Sequence, residues 1–336
     1  MKHIIEKLKN KQDLSQGEIE NIMRLIMSGE VAQAEIEAFL LSLRDKGATT
    51  EEITGAATIL RQFFIPVETG HDILLDTCGT GGDKKHTFNI STLTALVVAA
   101  GGVAVAKHGN RSVSSKCGSA DILEALGVNL DLPPQNLQAC LDAVGIAFLF
   151  AQKHHPAMKN VAAARKALGV ETIFNVLGPL LNPASATHQI MGVYNISLVG
   201  PIANVLKNLG AHRALVVHGH DGLDEITTTA KTAAVFWDGK NMKALEIDPA
   251  QWDIPYADEK DLKGGDLEEN IEIFNNILNG DTGPKRDIVV LNAAHAFVVA
   301  EKAHDVAQGI DLAEQILDKG VAQDKLNELV AFTKSQ

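Results

Sequence analysis

The spacing of hydrophobic residues changes once along this chain, near residue 72, and that change restricts the fold to two unlike parts. Before it, apolar side chains recur every three or four residues. Ser15 and Glu18 stand ahead of Ile19, Ile22, Met23 and Ile26. A Ser and a Glu three apart can each satisfy an amide N–H left without a partner at a helix start. Ala34, Ile36, Phe39, Leu40 and Leu43 repeat the pattern, with Gly47 placed to end it. Thr49 and Glu52 form a second such pair before Ile53, Ala56, Ala57, Leu60 and Phe63, and Pro66 closes the run.

Beyond residue 72, short apolar runs alternate with helical stretches. Residues 73–75, 103–106, 146–150, 189–194, 214–217 and 288–291 read as buried strands. Residues 91–100, 134–144 and 156–168 read as helices between them. Parallel neighbours need a crossover, so this alternation specifies an α/β domain with a mainly parallel sheet. Residues 233–237 and 243–247, joined through Asp238-Gly239, read as a hairpin near its edge. The expected class is thus α/β: a small helical N-terminal domain, residues 1–68, packed on a larger α/β domain, residues 69–336.

Composition excludes several functions. The 336 residues are 46% hydrophobic and 21% charged, which allows a sizeable core. Aromatics are only 4%, so that core is built from Ala, Leu, Ile and Val. A net charge of −12 argues against general binding of nucleic acid or anionic membrane, yet leaves room for a local basic pocket. Cys78, Cys117 and Cys140 lack metal-ligand spacing and read as thiols in a reducing compartment. Lys2, Glu6, Lys7 and Lys9 interrupt the first ten residues, so no secretory leader is expected there. The longest apolar run, residues 93–106, is too short to span a bilayer. The expected location is the cytoplasm.

Four segments carry chemistry. The first is Asp76-Thr77-Cys78-Gly79-Thr80-Gly81-Gly82-Asp83, directly after an apolar run. Three glycines in four positions let successive N–H groups face one anion, although a plain tight turn would look the same. It is neither a dinucleotide fingerprint nor a P-loop, because Lys84 stands where a glycine would be needed and no Gly-Lys-Ser/Thr follows. The second is Thr87-Phe88-Asn89-Ile90-Ser91-Thr92, which opens a helix. It offers either ordinary caps or a phosphate site of free N–H groups and hydroxyls. The third is Lys107-His108-Gly109-Asn110-Arg111-Ser112-Val113-Ser114-Ser115-Lys116, after the run at 103–106 and dense in hydrogen-bond donors. From Asp76 to Ser119 there are five Lys or Arg and two acids, a local excess of cation against the sign of the whole chain. The fourth is Asp221-Gly222-Leu223-Asp224-Glu225, whose adjacent acids suit Mg²⁺, a cation that takes oxygen ligands and bridges carboxylates to phosphates. Arg165, by itself, reads as a surface arginine.

Together these segments resemble the anthranilate phosphoribosyltransferase family. The resemblance runs through nearly the whole chain and includes residues 26–30, 118–121, 154–158, 172–179 with Asn182-Pro183, and 221–226. It implies transfer of the phosphoribosyl group of phosphoribosyl pyrophosphate to the amine of anthranilate, with Mg²⁺, in tryptophan biosynthesis. It also implies where the ligands sit. Gly79, Gly82 and Asp83 would hold pyrophosphate. Thr87, Asn89, Ile90, Ser91 and Thr92 would bind phosphoribosyl pyrophosphate at its phosphates. Lys107, His108, Gly109, Asn110, Arg111, Ser112, Val113, Ser114, Ser115 and Ser119 would complete that site. Ser91, Asp224 and Glu225 would coordinate Mg²⁺. Gly79, Asn110 and Arg165 would bind anthranilate, with His108 beside it. No residue is assigned as an acid or base. The same resemblance implies an active site at the hinge between the parts, a later helical segment near residues 165–185 joining the first domain, and a homodimer through the helical domain.

Five positions depart from the family pattern: Lys84-Lys85-His86 where small or polar residues are common, Glu171 where a basic residue is frequent, and Leu181 for a commoner Thr. Two other readings share the superfamily. A pyrimidine nucleoside phosphorylase would use inorganic phosphate, and a nucleic-acid-binding relative would need a basic groove. The complete third segment, the Asp224-Glu225 pair and the net charge favour the transferase.

Overall fold

A computed structural model describes residues 1–112 and 117–336. The N-terminal part folds as helices Lys2–Lys9, Gln16–Met27, Gln33–Lys46 and Thr50–Leu60. Both expected capping pairs form. Glu18 accepts the Ser15 N–H at 2.7 Å, and Glu52 accepts the Thr49 N–H at 2.8 Å. Glu52 is fully buried and also takes the Leu14 N–H and the Lys46 ammonium, each at 2.8 Å, so one carboxylate ties three segments together.

The rest is one seven-stranded sheet: β1 (Leu74–Gly79), β2 (Ala104–Gly109), β3 (Ile146–Phe150), β4 (His188–Gly192), β5 (Arg213–Gly219), β6 (Thr232–Trp237) and β7 (Met242–Ile247). Their spatial order is β3-β2-β1-β4-β5-β6-β7. The first five run parallel, and the β6–β7 hairpin closes the edge antiparallel.

One expected strand is wrong. Residues 288–291 lie inside the helix Pro284–Val299. Apolar residues cover nearly every side of that helix, so its sequence shows no polar stripe, and four apolar residues in a row cannot separate a buried strand from a buried helix. The expected helix at 156–168 also splits, into a 3₁₀ turn Pro156–Met158 and the helix Lys159–Leu168. β1 runs four residues and β2 three residues past its apolar run, so Asp76, Lys107 and His108 are strand residues rather than loop residues.

Two apolar cores lie on opposite faces of the sheet. β5 alternates between them: Leu215 and Val217 enter one, Ala214 and Val216 the other. The second core combines the first four helices with Lys159–Leu168, Ile173–Leu177 and Val199–Asn208. Among the described residues, no helix is long and apolar enough to cross a membrane.

Candidate active site

The order of a parallel sheet reverses between β1 and β4, because β2 lies on one side of β1 and β4 on the other. Adjacent loops there leave in opposite directions, which opens a crevice outside the carboxyl ends of the strands. Gly79 and Gly192 face each other at those ends. A Cβ on Gly79 would collide with the Asp224 carboxylate, and one on Gly192 would fall on the Asp224 carbonyl. The two glycines therefore let the loop after β5 fold across the crevice.

The loop after β1 is shaped by left-handed residues. Gly81 and Gly82 have φ of 64° and 84°, and Lys84 and His86 share that region at 59° and 53°. The latter two carry a side chain in a conformation that costs free energy, so the loop must be held from outside. Thr87 bridges Lys263, the Gly264 N–H bonds the His86 carbonyl at 3.0 Å, and Lys85 pairs with Glu259 at 3.0 Å. At the near end the Gly81 N–H donates to Asp224 Oδ2 at 2.8 Å. Glu171 lies 4.0 Å from where a Cβ on Gly82 would stand.

Asn89 to Thr92 start the helix Ile90–Ala100 at the floor of the crevice. Asn89 Oδ1 and Thr92 Oγ1 are buried there without a hydrogen-bond partner among the described residues. Buried polar atoms are nearly always paired, so these two orphans at one helix start suit a polar guest. From β2, Lys107 is buried and donates to the Thr77 carbonyl at 2.6 Å and to Ser91 Oγ at 3.4 Å. Asp76, fully buried in β1, accepts the His108 N–H at 3.1 Å and the Asn182 amide at 2.8 Å. Asn182 also donates to the Ala106 carbonyl at 2.8 Å and so joins β1 to β2 beneath the site.

Asp83, Asp224 and Glu225 put three carboxyls near one another. Burial, then the neighbouring Asp83, pushes the Asp224 carboxyl up; burial, then Asp224, does the same to Glu225, while Lys107 opposes it. Carboxyls gathered in this way suit a cation. Among the described residues, no three His, Cys, Asp or Glu side chains form a metal cage. An incomplete set of oxygens fits Mg²⁺, which commonly takes one or two carboxylates and fills its shell with phosphate oxygens and water.

On the other flank, His108 Nε2 meets His155 Nε2 at 3.1 Å, and the His155 ring packs edge-on to Phe64. Burial, then the neighbouring His155, pushes His108 well down, and burial takes His155 to about 4, so both imidazoles are neutral near pH 7. The Arg165 guanidinium lies over the Phe174 ring at 5.5 Å and makes no hydrogen bond or ion pair among the described residues.

Most expected residues gather round the crevice. Arg111 turns elsewhere: its guanidinium pairs with Asp121 at 2.9 Å and Glu124 at 2.8 Å. Ser112 and Gly118 donate their N–H groups to Asp121 at 3.1 and 2.9 Å, and Ser119 Oγ donates to the Asn110 carbonyl at 3.3 Å. A Cβ on Gly109 would strike Ser119 Oγ. Asn110 is exposed and accepts from Gln152 at 3.3 Å. Val113, Ser114 and Ser115 lie outside the described residues. The sequence reading gave no role to Asp76, Asp121, Asn182 or Gly192. A lone acid directly after the apolar run of β1 is the available signal for Asp76; Asn182 and Gly192 have partners far apart in sequence, whereas those of Asp121 lie nearby.

The chain matches two domains of one glycosyltransferase class: the glycosyl transferase family helical bundle domain over residues 2–64 and the glycosyl transferase family a/b domain over residues 71–323. It is 50% identical to the anthranilate phosphoribosyltransferase of Alkaliphilus metalliredigens, with 99% of this chain and 98% of that protein covered. Two solved structures are similar. The anthranilate phosphoribosyltransferase of Thermus thermophilus is 42% identical with a TM-score of 0.93, over 98% of this chain and 99% of that one. That of Saccharomyces cerevisiae, in complex with PRPP and Mg, is 27% identical with a TM-score of 0.91, over 99% and 98%. The chain belongs to the anthranilate phosphoribosyltransferase family.

Proposed function

We propose that this crevice binds phosphoribosyl pyrophosphate with Mg²⁺ and that the chain transfers the phosphoribosyl group to the amine of anthranilate, releasing pyrophosphate. The observation that carries the reading is the meeting, at one switch point, of an N–H-rich glycine loop, a buried lysine, orphaned polar atoms at a helix start and crowded carboxyls. Family membership supplies the acceptor.

The diphosphate is assigned to the glycine loop at Gly79, Gly82 and Asp83, and the phosphoribosyl part to Thr87, Asn89 to Thr92, Lys107 and the segment that follows it. Asp224, Glu225 and Ser91 would hold Mg²⁺, which when bound neutralises the diphosphate and makes it a better leaving group. Lys107 adds a positive charge, and loop N–H groups beyond Gly81, whose own N–H is held by Asp224, would face the charge that develops on the departing oxygen. As the bond from the anomeric carbon to the pyrophosphate oxygen breaks, its electron pair leaves with pyrophosphate. The amine lone pair then forms the new C–N bond, and the nitrogen sheds a proton. The chain's contribution is to hold both partners in line.

Arg165 is assigned to the anthranilate carboxylate, since a planar guanidinium with no anionic partner suits it. Arg165→Ala is expected to raise the anthranilate KM roughly ten- to a hundredfold and that of phosphoribosyl pyrophosphate far less. An unchanged anthranilate KM in steady-state kinetics removes that role. The reading includes a cytoplasmic homodimer joined through the helical layer of residues 1–68 and the segment near 165–185. Sedimentation at the mass of a single chain would exclude the dimer.

A further inference from the structure

The loop that carries Asp224 and Glu225 is fastened from a distant helix. Directly after Glu225, the Ile226 N–H donates to Asn292 Oδ1 at 3.1 Å, and Asn292 Nδ2 donates back to the Ile226 carbonyl at 2.7 Å. One side-chain amide thus satisfies both backbone groups of the residue next to the acid, as a neighbouring strand would. Asn292 itself is almost fully buried, and its Nδ2 also reaches the Ile288 carbonyl at 2.8 Å within its own helix, Pro284–Val299. That helix packs against Ile90–Ala100, whose first turn carries Ser91. One rigid element therefore sets both sides of the carboxyl cluster.

The fastening serves the acids rather than the loop as a whole. Asp221 already knots the loop from inside, accepting the Leu223 N–H at 3.0 Å, the Thr227 hydroxyl at 2.7 Å and the Thr229 hydroxyl. That knot fixes the loop's shape but not its distance from the helix start. Among the described residues, the Asn292 pair ties Ile226 to the layer beneath.

We infer that Asn292 is a positioning residue for the cation site, holding Asp224 and Glu225 at the separation that a divalent cation shared with a diphosphate requires. The inference rests on the reading of those acids as Mg²⁺ ligands. Asn292→Ala removes both bonds to Ile226. Asn292→Ser is the second variant, because a helical serine hydroxyl can bond the carbonyl four residues back, here that of Ile288, and still not reach Ile226. The test is calorimetric titration of the Mg²⁺ complex of phosphoribosyl pyrophosphate into each protein without anthranilate, alongside the Mg²⁺ concentration for half-maximal turnover. Both quantities are expected to rise about tenfold in both variants, with turnover recovered at high Mg²⁺ and the anthranilate KM unchanged. A merely structural asparagine would lower turnover in proportion to the folded fraction and leave both quantities at the parent values, which overturns the inference. Glu225→Gln is titrated in parallel. If it binds the complex as the parent does, the metal reading fails and this inference with it. If it loses affinity while the Asn292 variants keep theirs, this inference alone falls.

Discussion

At the scale of single residues, the site trades stability for charge. Asp224 is pushed above the ordinary carboxylate range by burial and then by Asp83, and Glu225 by burial and then by Asp224, so the folded chain holds more protons than the unfolded chain through that window. By linkage, a raised acid contributes least once it is ionised, and stability falls as pH rises through the window. Glu225→Gln removes one of the crowded charges while keeping the shape. Without metal at pH 8 it is expected to melt about 2 °C above the parent, with the difference shrinking at pH 5, where the parent carboxyl is protonated. Turnover should fall by about a hundredfold or more in the same protein. A variant that melts at or below the parent at pH 8 contradicts the crowding argument. These acids were legible in the sequence as an adjacent pair after an apolar run. Asp76 was less so, because a buried acid in a strand reads as an anomaly until Asn182 and the His108 N–H are seen to satisfy it.

At the scale of elements, the sequence reading succeeded where periodicity is unambiguous and failed where it is not. The two helix starts at Ser15 and Thr49 form as their residues dictate, and β3 and the hairpin appear where expected. Pro284–Val299 was missed because burial on all sides erases the polar stripe, and with it went Asn292, whose partner is 66 positions away. The glycines show the same limit. Gly79 was found through its neighbours in the loop, whereas Gly192 ends an apolar strand, and only the fold reveals that its missing Cβ makes room for the Asp224 carbonyl. Gly192→Ala must displace the loop 221–225 or bend β4. Overpacking of this kind costs about 1–3 kcal/mol. The expected outcome is a folded protein with a lowered melting temperature and turnover reduced far beyond that loss. Turnover equal to the parent would show that the loop does not need this close approach.

At the scale of the whole molecule, the sheet separates two tasks. One core stabilises the face beneath the helix Ile90–Ala100, whose start forms one side of the crevice; the other gathers the helical layer that carries Arg165 and Phe174. The architecture suits a reaction driven by alignment and charge, in which pyrophosphate leaves as the amine arrives. The most direct measurement is the fluorescence of anthranilate mixed with purified protein, phosphoribosyl pyrophosphate and Mg²⁺. The account predicts a steady loss of that fluorescence, with one pyrophosphate released per anthranilate consumed, and no loss when phosphoribosyl pyrophosphate or Mg²⁺ is withheld. Unchanged fluorescence in the complete mixture, or a loss that proceeds without the sugar donor, would contradict it.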